Sequence, residues 1–221
     1  SKAYESDPVP ISFSHEDYVS EKRDYLAFEK RTDARLDVNE FFNFISSDDP
    51  RTLIELQNGH HIQFYPTNKI RIPVDKNEVL KNKVVNPKLA DSIVPYIDVD
   101  IKGNAIYKNR LMMLDILANN NWKRPIYFSG GAFDDEDYLW LKDYLQLDGM
   151  VYKLVPVRNV PSKDGGPMDM GQIDADKMYD IVMKWDWGNS ESEKIYHDPE
   201  TRRNSITYRT NLSRLMNELI A

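Results

Sequence analysis

The sequence predicts an α/β fold, or its mixed α+β relative: a small mixed sheet with a β-α-β core, flanking helices and a C-terminal helix. Three observations carry that prediction. Residues 111–157, LMMLDILANNNWKRPIYFSGGAFDDEDYLWLKDYLQLDGMVYKLVPV, switch between helical and extended periodicity, with caps and turn residues at the joints. Leu53, Ile54 and Leu56 face Ile62, Phe64 and Tyr65 across Asn58-Gly59, a strong short-range hairpin signal. Asp198-Pro199-Glu200 reads as cap, proline and acid, and opens a terminal helix reaching about Ile220.

Residues 1–36 read as an extended lead-in containing Pro8 and Pro10, with one helical turn after Ser14 and with Tyr18, Tyr25, Leu26 and Phe28 as scattered anchors. The α/β core is expected over 37–157. Asp37 caps a helix from Val38 to Ile45, whose Phe41, Phe42, Phe44 and Ile45 are strongly apolar. In the hairpin, pairing Leu56 with Ile62 and Ile54 with Phe64 keeps the apolar residues together, which requires a loop longer than two residues or a bulge. Ile70 to Val74 is a third strand, Lys76 to Leu80 a short helix and Leu89 to Val94 a helical turn. Ile97, Val99 and Ile101 alternate with Asp98, Asp100 and Lys102 as a half-buried strand, which turns at Lys102-Gly103 into Ala105 to Tyr107.

Asn109 is placed to cap the next helix, which buries Leu111, Leu114 and Leu117 and stops at Asn119, Asn120 and Asn121. Pro125 to Phe128 is a strand, Asp134 to Asp137 open a helix carrying Leu139, Trp140, Tyr144, Leu145 and Leu147, and Gly149 ends it. Met150 to Val157 is the returning strand. Strand, helix and strand joined by short loops suggest a parallel pair with a right-handed crossover. Residues 158–173 form a flexible loop, and 174–221 a helical segment packed on the core, with Asp174 as a cap, Met178, Ile181, Val182 and Trp185 on its inner side, and a final stripe of Leu212, Leu215, Met216 and Leu219.

With 221 residues, 41% of them hydrophobic, the chain can bury a sizeable core. A net charge of −7 argues against a nucleic-acid surface. The absence of cysteine excludes disulfides and thiolate chemistry, and no run of about 18 apolar residues crosses a membrane.

Each chemical motif has a structural reading beside the functional one. His60 and His61 would face opposite ways on a strand and lack a third ligand at a metal-site spacing, so they read as exposed turn residues. Asp98, Asp100 and Gly103 resemble a calcium loop whose closing glutamate is replaced by Asn109. Gly130-Gly131 is too short for a dinucleotide fingerprint, and the following acids repel phosphate. No metal and no cofactor is therefore expected. No nucleophile elbow or triad order is present, so no catalytic residue is assigned. Trp122-Lys123-Arg124-Pro125 is the most suggestive site: an indole and a guanidinium at a strand mouth can stack on a ligand and hydrogen-bond it. Trp122, Arg124 and Tyr127 are the candidate ligand-binding residues; the structural alternative is a buried tryptophan with the arginine as its ion-pairing neighbour.

Several strings also carry a family resemblance: Asp24-Tyr25-Leu26, Phe44-Ile45-Ser46-Ser47-Asp48, Ile93-Val94-Pro95, Asp115-Ile116-Leu117-Ala118, and above all NWKRPIYF at 121–128 and YLQLDGMVYKLVP at 144–156. Together they resemble the soluble C-terminal region of a bacterial domain-of-unknown-function family of multi-spanning membrane proteins. The membrane portion of that family is similar to protein O-mannosyltransferases that use a polyprenyl phosphate donor. The resemblance implies that Ser1 follows a last membrane span, that the chain lies on the periplasmic side of the cytoplasmic membrane, and that its terminal helix continues into helical repeats. It implies a non-catalytic accessory domain whose partners are the parent membrane region and a glycan or acceptor protein. The acidic residues that act in such transferases lie in the membrane portion, so none transfers here. The alternatives are an independent soluble α/β enzyme acting near Gly130 and the loop 162–171, and a scaffold that docks a helix on Leu212 to Leu219.

Overall fold

The computed structural model describes residues 7–20, 24–47, 49–55, 57, 59–129, 139–159 and 170–220. It is a mixed α+β structure of small sheets and several helices, ending in a long C-terminal helix. The chain divides into two compact units, the first Ser1–Arg124 with Phe133–Trp140, the second Pro125–Ala132 with Leu141–Ala221.

In the first unit the elements are α1 (His15–Val19), β1 (Tyr25–Phe28), β2 (Leu36–Asp37), α2 (Val38–Ile45), β3 (Leu53–Glu55), β4 (His61–Tyr65), β5 (Lys69–Pro73), α3 (Lys76–Lys81), β6 (Tyr96–Asp100), β7 (Ala105–Tyr107) and α4 (Lys108–Asn120). One sheet has the order β3-β4-β1-β7, with β1 parallel to β4 and antiparallel to β7; the other is β2-β5-β6. Helix α2 forms because Asp37 caps it, accepting from the Asn39 N–H, and because Val38, Phe41, Phe42 and Ile45 recur at helical spacing and are all buried. It packs on β4, β5 and α4. Phe41 meets Tyr65 edge to face at 4.4 Å in the centre of this core.

The lead-in contributes more than an extended run. Ser14 and Asp17 form a reciprocal capping box for α1, and β1 occupies an interior place in its sheet. The buried Asp115 carboxylate accepts from the Ser12 N–H and hydroxyl at 2.7 and 2.6 Å and from Asn119 Nδ2 at 2.8 Å, which anchors the chain ahead of α1 to α4.

Two local expectations in this unit shift. The hairpin pairs Ile54 with Ile62 and Glu55 with His61, two residues away from the expected register, so the faces are kept and the loop is longer than two residues. Helix α4 starts at Lys108 with Tyr107 as its uncapped N-cap, and the Asn109 carboxamide accepts from its neighbour Arg110 N–H, so it does not cap the helix. The helix does end where the asparagines stop it, at Asn121 with φ 42°.

The second unit contains β8 (Tyr127–Ser129), β9 (Leu145–Asp148), β10 (Val151–Leu154), α5 (Ala175–Val182) and α6 (Pro199–Ile220). The sheet order is β8-β10-β9, and both pairings are antiparallel. This corrects the expected parallel crossover. Residues 139–144 form a 3-10 turn and 145–148 a strand, where one helix was expected; Asp134 to Asp137 and Gly130-Gly131 lie outside the described residues. The reason is local and tertiary together. Leu145 and Leu147 alternate with Gln146 and Asp148, and Gly149, at φ 70°, takes the first position of a two-residue loop that returns the chain as β10.

The strand alternation gives this sheet one apolar face. On it Leu147 packs with Met178 of α5 and Leu215 of α6, and with the half-buried Tyr152, Ile173 and Val182. Asn211 of α6 donates to the Gly149 carbonyl at 2.8 Å, and Arg214 donates to the carbonyls of Met170 and Gly171, so α6 is pinned at two places. Of the expected terminal stripe, Leu215 is buried while Met216 and Leu219 are exposed. No helix among the described residues is long and apolar enough to cross a membrane.

Candidate functional site

After α5 ends, the chain runs through Trp185-Asp186-Trp187 and a series of turns to Asp198, which starts α6 by accepting from the Thr201 N–H at 2.7 Å. That hydrogen bond is the main reason the Asp198 carboxyl titrates below its ordinary range. The turns are held internally. Ser190 N–H donates to the Trp187 carbonyl at 2.9 Å, and His197 Nε2 lies 2.9 Å from the Ser190 carbonyl. A carbonyl only accepts, so Nε2 carries the proton and Nδ1 faces elsewhere. Arg202 Nε donates to the His197 carbonyl at 2.9 Å, which orients its guanidinium.

Between these turns and the first half of α6 lies a cleft of about 1140 Å³, which Met150 of the β9–β10 turn also lines. Trp185, Trp187 and Tyr208 form a three-ring cluster with centroids 5.5, 5.5 and 5.9 Å apart, every pair edge to face. Trp187 remains 48% exposed. A tryptophan so exposed outside any apolar periodicity is not explained by the core. Tyr196, Arg202 and Arg209 also line the cleft, so aromatic faces stand beside hydrogen-bond donors.

The sequence-predicted residues fall in different places. Trp122 is buried in the first unit and its indole N–H donates to the Pro73 carbonyl at 3.2 Å. Arg124, in the same unit, donates through Nη1 to the carbonyls of Asp7 and Pro8 at 3.2 and 3.1 Å. Tyr127 belongs to the second unit, on β8, and is exposed; its phenol titrates above the ordinary range because of partial burial first and of the nearby Asp148 carboxylate second.

The other motifs resolve into structure. Asp98 pairs with Arg71 at 2.8 Å and Asp100 with Arg35 at 2.5 Å, so both carboxylates of the apparent calcium loop are engaged by guanidinium groups. No group of three potential metal ligands gathers among the described residues. Residues 160–169, most of the loop invoked for a soluble enzyme, lie outside the described residues.

The aromatic cleft was missed because Trp185 reads as the last inner position of a helix that in fact ends at Val182. The signal that finds it is the Trp-Asp-Trp spacing followed directly by Gly188-Asn189-Ser190, turn residues that place the second indole outside any element.

A family model described as TMEM260-associated domain 2 matches residues 1–177. The chain belongs to that family. The match takes in the first unit and reaches into α5, whereas the cleft is lined by residues beyond it, apart from Met150. No curated protein and no solved structure matches the chain.

Proposed function

We propose that this TMEM260-associated domain is a non-catalytic accessory domain of a membrane-bound, glycosyltransferase-like protein, lying on the periplasmic side of a bacterial cytoplasmic membrane, and that its aromatic cleft holds saccharide. The carrying observation is the exposed Trp187 beside Trp185 and Tyr208, in a cleft of about 1140 Å³ that also carries arginines. A pyranose has an apolar C–H face and a rim of hydroxyls. The negative face of an indole attracts the first, and guanidinium and amide groups bind the second. Membership of the family supports the accessory role, and the sequence resemblance described above supports the compartment.

Titration of the chain with neutral oligosaccharides, read by tryptophan fluorescence and calorimetry, tests the reading. Saturable binding is expected, and Trp187→Ala is expected to weaken it by about 2 kcal/mol, roughly thirtyfold. A fluorescence signal that does not saturate, with no heat of binding, rejects the saccharide role. Protease added to intact spheroplasts should cut the domain from outside; full protection rejects the compartment.

A further inference from the structure

Trp187 opens the turn Trp187-Gly188-Asn189-Ser190, which the Ser190 N–H closes by donating to the Trp187 carbonyl at 2.9 Å. Gly188 at φ 56° and Asn189 at φ 62° both take left-handed backbone, a conformation open to glycine and tolerated by asparagine. Asp186 holds the turn as well, accepting from the Gly188 N–H at 2.9 Å with one carboxylate oxygen. The indole therefore stands at a fixed place in a loop, outside any helix or strand, and about half of it is open to water.

Two hollows meet at this indole. One is the aromatic cleft; the other, of about 690 Å³, is lined by residues 185–191. The two share Trp185, Asp186, Trp187 and Ser190. Of the two shared rings Trp185 is the more buried, so Trp187 is the ring that both hollows reach most freely. Pockets that hold drug-sized molecules measure about 300 to 1,000 Å³, so each hollow has room for at least one sugar. An aromatic ring open to two hollows packs against a sugar in each.

The polar groups around the ring differ between the hollows. The cleft adds Arg202 and Arg209, which only donate, whereas the second hollow adds Asn189, which donates and accepts, and Glu191, which only accepts. Asp186 is common to both. Two carboxylates disfavour an anionic group in the second hollow and suit hydroxyls that donate to them.

We propose that the ligand of the aromatic cleft is an oligosaccharide whose neighbouring units straddle Trp187, one in the cleft and the next, a neutral sugar, in the second hollow. This rests on the saccharide reading of the cleft and deepens it: the domain recognises a stretch of glycan chain and not a lone sugar, with Asn189 and Glu191 setting that preference.

The test is calorimetric titration of the full chain with malto- and cello-oligosaccharides of one to six units, joined to amide NMR of the turn. Affinity should rise about tenfold or more between one unit and the length that fills both hollows, and then level off. The amides of Gly188, Asn189 and Glu191 should shift with the longer sugars. Asn189→Gly removes the carboxamide and suits the left-handed backbone, and Glu191→Ala shortens an exposed side chain; each should weaken the longer sugars about threefold. Tyr208→Ala, which alters only the cleft, should weaken every member of the series. Affinity that does not rise beyond one unit, or that is undiminished in both turn variants, overturns the two-sided site while the saccharide reading of the cleft stands. No binding by any member rejects the saccharide reading itself, and this proposal with it.

Discussion

Two antiparallel strand pairs in this chain carry charge across the ladder, and they differ in one respect. On β5 and β6, Arg71 stands opposite Asp98, and the two meet with two contacts of 2.8 Å in a partly exposed place. On β9 and β10, Lys153 stands opposite Gln146 and next to Asp148, nearly shut off from water, with acceptor atoms left over. The first pair is complete and solvated, and it needs no purpose beyond covering a sheet. In the second, burial holds the Lys153 ammonium below the ordinary lysine range and the charge of Asp148 offsets this only in part. Charge in a sequence is thus uninformative about function until burial and completeness are known.

The largest expected effect bears on the apolar side of the same sheet. Met178→Ala should lower stability by about 3 kcal/mol in a urea titration, because it leaves a cavity against Leu147 and Leu215. A loss well under half of that would mean that the two faces do not differ as described. Next comes Lys153→Met, which should lower stability by about 2 kcal/mol because it leaves the buried Asp148 carboxylate without the cation that faces it. Because its folded-state pKa lies below the unfolded value, the unfolded chain binds more protons between the two. Wild-type stability should therefore climb with pH across that window, and the climb should be absent in the methionine variant. A gain in stability on Lys153→Met would mean that the cost of burying the ammonium outweighs its interactions.

The smallest effect is Arg71→Met, at below about 1 kcal/mol near neutral pH, since the pair is partly exposed and screened by salt. Asp98 is held below the ordinary carboxylate range by its hydrogen bond to Arg71 first and by the charge of Arg35 as well. Its contribution is present above the unfolded pKa and fades as pH falls through the folded one. Acid titration of stability should show a shallower loss in the variant.

The comparison also shows what could be read early. Arg71 and Asp98 belong to strands recognisable in the sequence, and their pairing follows once the register is known. Tyr127 was singled out for its place beside a strand mouth, and β8 sets it opposite Lys153. Gln146, Asp148 and Lys153 were passed over because Leu145 and Leu147 were read on a helical stripe. In a run as short as LQLD, helical and extended periods give the same apolar count, and the decisive signal was Gly149, the first position of a two-residue turn between alternating residues. Trp187 was passed over because one residue in sequence separates an indole that packs from one that stays in solvent.

What the sequence determined by itself is local. It specified the capped helix at Val38–Ile45, the stop at Asn121, the start of α6 at Asp198-Pro199 and the mixed class of the fold. All of these rest on interactions within a turn or two of the chain. Tertiary structure decided the antiparallel order of β8, β10 and β9, the interior place of β1, and the exposure of Trp187 with the burial of Lys153. Strand pairing is satisfied by whichever partner the folded chain brings alongside, and burial belongs to the surroundings of a side chain and not to the side chain itself.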